Sequence, residues 1–281
     1  MQTFYTRTLT ALVFAAVMLG GILWNPLSFM LLFLLIGCGG VLEYFTLMKK
    51  IHPEYSRTPG YQQIIVLLGI PAGLLIASGH HVLWLGQPLF LYGLQLALFL
   101  LMLLLLLTGL GRQPGTAFRN LGYSLTGLLY VGLPVALMVH LMWQYPVHGL
   151  PLIPLAILLS LWINDTLAYI VGSLIGRTPF FPAISPKKTW EGTLGGIVLT
   201  LVAGGLYGYF SPYYTIGLWM ALAGLTAITG TAGDLLESRL KRRAGVKDSG
   251  RLLPGHGGLL DRFDSLLLAT PFVWLLFLLI G

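Results

Sequence analysis

Residues 238–264 run SRLKRRAGVKDSGRLLPGHGGLLDRFD and alternate basic side chains, acids and glycines over a short stretch. Lys241, Arg242, Arg251 and Arg262 are cations suited to phosphate oxygens. Gly250, Gly255, Gly257 and Gly258 surround His256. Glycines allow positive φ and close backbone approach, which suits N–H groups aimed at phosphates. Aspartates such as Asp248 and Asp261 can hold Mg²⁺, which takes few protein carboxylates and completes its shell with phosphate oxygens and water. These are the parts of a phosphoryl-transfer site, which works by positioning and charge stabilisation and needs no covalent protein intermediate. Asp264 reads chiefly as a cap on the helix that follows, so its loss is expected to matter less than that of Asp261.

Upstream, Asp234, Glu237 and Lys241 fall at i, i+3 and i+7, one polar stripe if the helix continues beyond its apolar part. A salt-bridge ladder and a cation and phosphate surface are both open readings of it. Lys187 and Lys188, in Ser185-Pro186-Lys187-Lys188-Thr189-Trp190-Glu191-Gly192, form a phosphate grip or simply mark topology. Asp165 lies well inside an apolar run, with Tyr169, Gly172 and Gly176 on about the same face. The small residues would let another helix approach closely. Asp165 is then either an acid hydrogen-bonded between helices or a site wall or ion ligand. Glu43, inside another run, is equally open to a packing or a site role.

The elements that must position these residues are apolar helices. The chain has 281 residues, 56% hydrophobic and 9% charged, with a mean hydropathy of +0.84. Soluble domains run near 25% charged, so a soluble enzyme, a disordered chain and a basic nucleic-acid-binding domain are excluded. A bilayer-crossing helix takes about 20 apolar residues. Nine runs qualify, near Leu9–Trp24, Leu27–Met48, Tyr61–Ala77, Leu89–Leu107, Leu121–Trp143, Leu150–Gly176, Thr193–Phe210, Thr215–Leu236 and Phe263–Ile280. The expected fold is an all-α, polytopic transmembrane helical bundle of about nine spans. Asn25-Pro26 leaves almost no loop, so the first two spans should form a tight hairpin. The seventh run is short and is expected to tilt or to be partly re-entrant. Arg7 and the apolar run to Gly20 have some features of a signal peptide, but another apolar span follows directly, so a first anchor helix is expected. Cys38, the single cysteine, lies in an apolar run and reads as a small packing residue.

With nine spans, all 16 Lys and Arg residues fall on one side. They are Arg7; Lys49, Lys50 and Arg57; Arg112 and Arg119; Arg177, Lys187 and Lys188; and Arg239, Lys241, Arg242, Arg243, Lys247, Arg251 and Arg262. Loops on the other side carry none. The positive-inside rule then puts the N-terminus in the cytoplasm and the C-terminus outside, which also accounts for the net charge of +7 without an anionic partner. His80, His81 and His148 fall on the outer side and His140 near it, away from the polar motifs. Two halves are expected: 1–144, with about five N-terminal helices, and 145–281, carrying the cytoplasmic-side motifs.

The pattern Ser238-x-Leu240-Lys241-Arg242, Lys247-Asp248-x-Gly250, Leu253-Pro254-x-His256-Gly257-Gly258-Leu259-x-Asp261-Arg262-Phe263-Asp264 resembles the signature of the phosphatidate cytidylyltransferase (CDP-diacylglycerol synthase) family. Gly233-Asp234-Leu235-x-Glu237-Ser238, Asp165-Thr166-x-Ala168-Tyr169 and the Lys187-Lys188 segment also resemble that family. The motifs cover about the last 120 residues; the first 150 resemble the family mainly in hydropathy. The resemblance implies the reaction of CTP with phosphatidate to give CDP-diacylglycerol and diphosphate, and selectivity for a cytosine triphosphate over ATP and GTP. It also implies a Mg²⁺ requirement, with K⁺ associated with the metal centre. Carried over, Asp234 and Asp261 are the metal candidates, and Asp234, Asp261, Lys247 and Asp248 the catalytic ones. Lys187, Lys188, Lys241, Arg242, Arg251, His256 and Arg262 would divide between the triphosphate and the lipid phosphate. Asp165 and Glu237 would support them. Phosphatidate is already an oxyanion, so His256 is expected to hydrogen-bond phosphate and not to act as an obligatory base. A bacterial inner membrane and a homodimer are further implications.

The main alternative is an ion-coupled membrane transporter using Asp165 and Asp234. Against it stand the lack of an internal repeat and the restriction of polar motifs to one side. A CDP-alcohol phosphotransferase would need an Asp-Gly-x-x-Ala-Arg motif, which is missing.

Overall fold

The structure is a computed structural model. It describes residues 2–84, 86–109, 114–252 and 257–280, without the side chains of 2–7 and 114. His256 and Arg112 therefore lie outside the described residues. Contacts divide the chain into two units: Met1–Gln144 with Arg243–Arg262, and Tyr145–Arg242 with Phe263–Gly281.

The first unit begins with α1 (Gln2–Leu23) and α2 (Pro26–Ile51). Asn25 accepts from Ser28 N at 2.8 Å, and Ser28 Oγ accepts from Asn25 N at 3.1 Å. With Pro26 opening the helix, this reciprocal cap turns the chain within two residues. A 3₁₀ turn (Pro53–Arg57) leads to α3 (Gly60–Ala77). A short hairpin of β1 (Leu83–Trp84) and β2 (Gln87–Pro88) leads to α4 (Leu89–Gly109). One long helix follows as α5 (Pro114–Gly127), a π turn (Leu128–Gly132) and α6 (Leu133–Gln144). Phe29, Phe33, Val41, Leu47, Val131, Val135 and Met138 are buried along α2 and the long helix. Below them, Tyr55 of the 3₁₀ turn is fully buried and shares a 2.7 Å hydrogen bond with Ser124. Burial pushes its phenol pKa up, so it stays neutral.

The second unit contains α7 (Leu152–Ile175), a hairpin of β3 (Pro179–Phe181) and β4 (Ser185–Thr189), α8 (Trp190–Phe210), α9 (Ile216–Arg243) and most of α10 (Leu260–Ile280). α7 and α8 lie close, as the small residues of α7 suggest: side chains added at Gly192 or Gly196 would run into Ala168 or Gly172. Ile153, Ile157, Leu161, Trp219, Leu222, Leu266, Ala269 and Val273 are buried between the helices.

Among the described residues eight helices are long and apolar enough to cross a membrane, and Thr8–Leu23 adds a shorter apolar one. Leu35, Leu98, Leu106, Leu174 and Val198 are exposed along them. Such a surface is unstable in water and suits lipid; the chain is an all-α, polytopic integral membrane protein. The seventh run corrects the expectation of a short or re-entrant segment. It is a full helix of 21 residues, because Thr189 accepts from Gly192 N at 3.2 Å and starts α8 before the apolar residues begin.

Candidate active site

In the second unit the hairpin and α9 build a group of charges. β3 and β4 are antiparallel, with Pro179 opposite Thr189 and Phe181 opposite Ser185. Glu191, in the first turn of α8, holds the hairpin closed: its carboxylate accepts from Arg177 N and Thr178 N at 3.1 Å and from Thr178 Oγ1 at 2.8 Å. Alternation along β4 sends neighbouring side chains to opposite faces. Lys188 is ion-paired with Asp234 of α9, whereas Lys187 is exposed. Arg242, near the end of α9, donates from Nε to the Ile184 carbonyl at 3.3 Å.

Asp234, Glu237 and Lys241 do form one stripe on α9. Glu237, fully buried, pairs with Lys241 one turn on. Ser238 Oγ donates to Asp234 Oδ1 at 3.5 Å. Asp264 of α10 is 7% exposed and hydrogen-bonded to Asp234, with Ser265 N donating to its Oδ1 at 2.6 Å. It is therefore more than a helix cap. α10 comes this close because Gly233 has no side chain; a Cβ there would meet the Asp264 backbone. Three carboxyls thus face two lysines, and Asp234 and Asp264 repel unless a proton or cation lies between them.

In the first unit the segment after α9 folds onto α2. Asp261, in the first turn of α10, accepts at Oδ2 from Ser249 N (2.8 Å), Ser249 Oγ (2.9 Å) and Gly258 N (2.8 Å). Glu43 of α2 accepts from Ser249 Oγ (2.8 Å) and Leu260 N (2.8 Å) at Oε2, and from Leu259 N (2.9 Å) at Oε1. An acid inside an apolar helix needs a partner, and these donors supply it. The turn needs Gly257, with φ +84°.

The structure places the sequence candidates in three groups. Asp234, Glu237, Lys188 and Lys241 come together in the second unit, with Arg242 at the hairpin. Asp261 lies in the loop network of the first unit. Lys247, Asp248, Arg251 and Arg262 are exposed on or beside that loop, and Lys187 and Asp165 are exposed on β4 and α7. Sequence reasoning left Glu43 open, reduced Asp264 to a cap and passed over Ser249. For Glu43 the signal was an acid in an apolar helix, which demands a partner.

A cation fits the second-unit group. Its donors are hard oxygens, two carboxyls adjoin, and the Asp234 side chain is 28% exposed. Mg²⁺ takes one or two protein carboxylates and fills its shell from phosphate and water, so two adjoining carboxyls are a fitting set.

The chain is similar to known proteins along its length. The phosphatidate cytidylyltransferase of Staphylococcus saprophyticus is 35% identical over 273 residues, covering 94% of this chain and 95% of the relative. That of Bacillus subtilis is 38% identical over 184 residues, 65% of this chain and 67% of the relative. That of Staphylococcus haemolyticus is 40% identical over 159 residues, 55% and 58% of the two chains. The sequence model of one family matches residues 5–280, so it takes in both charged groups and nearly every apolar helix around them. The chain belongs to the cytidylyltransferase family.

Proposed function

We propose that the chain is a phosphatidate cytidylyltransferase, converting CTP and phosphatidate to CDP-diacylglycerol and diphosphate. The observation that carries this is the end-to-end match to a relative of that name. An ion-coupled transporter has no support from the comparisons. One substrate is a membrane lipid and the other is water-soluble. The charged groups at the ends of apolar helices suit a reaction at the membrane boundary.

A lipid phosphate oxygen bonds to the α-phosphorus of CTP as the α–β anhydride bond breaks, and diphosphate leaves with that bond's electron pair. The attacking oxygen is already deprotonated, so the chain need only align the reactants and offset charge. Lys188 and Lys241, each held by a carboxylate, present ammonium groups that can turn to phosphate oxygens. Arg242, Arg251, Arg262 and Lys187 are exposed and are the sequence candidates for the remaining phosphates. Lys247 and Asp248 remain catalytic candidates, and His256 a candidate hydrogen-bond donor to phosphate. Mg²⁺, for which Asp234 and Asp261 are the sequence candidates and Asp264 an addition, would supply charge neutralisation on the phosphate oxygens. K⁺ is a second candidate ion. The N-terminus is proposed to be cytoplasmic in a bacterial inner membrane, with the chain forming a homodimer.

The test is purified protein with phosphatidate and each nucleoside triphosphate across a Mg²⁺ titration. CDP-diacylglycerol should form from CTP with Mg²⁺, and equal turnover of ATP would overturn the reading. Reporter fusions after Lys50, Arg119 and Arg243 should report cytoplasm, and those after Gly86, His148 and Gly281 the outer side.

A further inference from the structure

Glu43 and the loop it holds are separated by more than two hundred residues of sequence. The described contacts join them closely. Gly258 N, Leu259 N and Leu260 N are successive donors at the start of α10, where a helix has N–H groups without intrahelical partners. Asp261 takes the first, and Glu43 takes the second and third, one on each oxygen. Glu43 thus caps α10 from another helix. Ser249 Oγ lies within hydrogen-bond distance of both carboxyls, 2.8 Å from Glu43 and 2.9 Å from Asp261, and has one proton to give. Two glycines of the loop motif, Gly250 and Gly258, stand where any side chain would run into the Glu43 carboxyl. The loop is shaped around that group.

We infer that Glu43 is a positioning residue for the reaction: it fixes the first turn of α10 and, through Ser249, the orientation of the Asp261 carboxylate. This rests on the proposed cytidylyltransferase function and on the role given there to Asp261. It makes α2 part of the active machinery, although the sequence motifs all lie in the last 120 or so residues. The carboxylate form is required because both oxygens must accept. Glutamine keeps the size but turns an NH₂ group toward a backbone N–H.

The test compares Glu43→Gln, Glu43→Asp and Ser249→Ala with the unaltered enzyme in kcat, in KM for CTP, in melting temperature and in amide hydrogen exchange. In Glu43→Gln, kcat should fall about 10–100-fold, as for a residue orienting a metal ligand, with a smaller change in KM. Amides of Ser249, Leu259 and Leu260 should exchange faster while those of α3 and α4 do not. Glu43→Asp should recover part of kcat. Ser249→Ala should cost little more when added to Glu43→Gln, because the two act through one network. Wild-type kcat in Glu43→Gln would overturn the inference, as would losses that multiply in the double variant. If Glu43→Gln does not fold, Ser249→Ala alone decides by the same exchange and kcat measurements: it too should speed exchange and lower kcat, and unchanged values overturn the inference. An unaltered enzyme that makes no CDP-diacylglycerol would instead overturn the proposed function, while the exchange pattern still reads whether Glu43 holds the loop.

Discussion

In the first unit, Glu43 and Asp261 are met by backbone N–H groups and one serine hydroxyl. In the second, Asp234 and Glu237 are met by lysines, and Asp264 lies against Asp234. The chemistry of the donors separates the two groups. Backbone donors cannot leave without unwinding a turn, so the first arrangement holds shape. In the proposed reaction the half-buried Lys188 ammonium, on a flexible stem, would exchange the Asp234 carboxylate for a phosphate, so the second arrangement would respond to a substrate. Carboxylates are therefore held by backbone in one unit and by lysines in the other.

That contrast is open to direct attack. The largest effects are expected at Asp234 and Asp261. Asp→Asn at either should lower activity at least ~100-fold. Their folding behaviour should differ. Asp234→Asn should melt near the unaltered protein. Asp261→Asn should also lose part of its loop bonding, worth about 1.5–3 kcal/mol for hydrogen bonds to a charged group. Equal melting temperatures for the two variants would erase the distinction between the two groups of carboxylates.

Next comes Asp264→Asn. The amide can donate to Asp234, so the fold should survive and the melting temperature should not drop. The Mg²⁺ concentration for half-maximal activity should rise about 10–100-fold. An unchanged Mg²⁺ profile would return Asp264 to a purely structural role. The adjacent lysines give a smaller and sharper comparison. Lys188→Gln removes the partner of Asp234 and should reduce activity by at least about tenfold. Lys187→Gln, on the exposed face of β4, should change it by less than about fivefold, the scale of an exposed ion pair. The reverse order would mean that the strand presents the other face to substrate. The smallest effect is on stability: Thr189→Ala should cost about 0.5–2 kcal/mol through loss of the α8 cap, seen in thermal melts of detergent-solubilised protein.

Much of this was legible before any coordinates. The helix boundaries lie within a few residues of the apolar runs in most cases, because hydropathy over about 20 residues decides whether a segment enters lipid. α1 and the long helix that opens with α5 begin seven residues before their apolar runs, at Gln2 and Pro114. Two other differences have local causes. α9 runs on to Arg243 because the Glu237–Lys241 pair carries the helix past its apolar part. α8 starts early because Thr189 caps it. The cationic and acidic residues of 238–264 were visible as a group because they are contiguous in sequence.

The sequence by itself determined the apolar helices, the class of chemistry suggested by the 238–264 motif, and the stripe on α9. Each depends on residues within a few turns of one another, where helical periodicity sets the geometry. Only the tertiary structure decided that Lys188 and not Lys187 meets Asp234, that Asp264 adjoins Asp234, and that Glu43 caps α10 across more than two hundred residues of chain. Those outcomes depend on which buried donor finds which buried acceptor after the helices have assembled. In an apolar interior each such group must find a partner, but no local rule says from which part of the chain the partner will come.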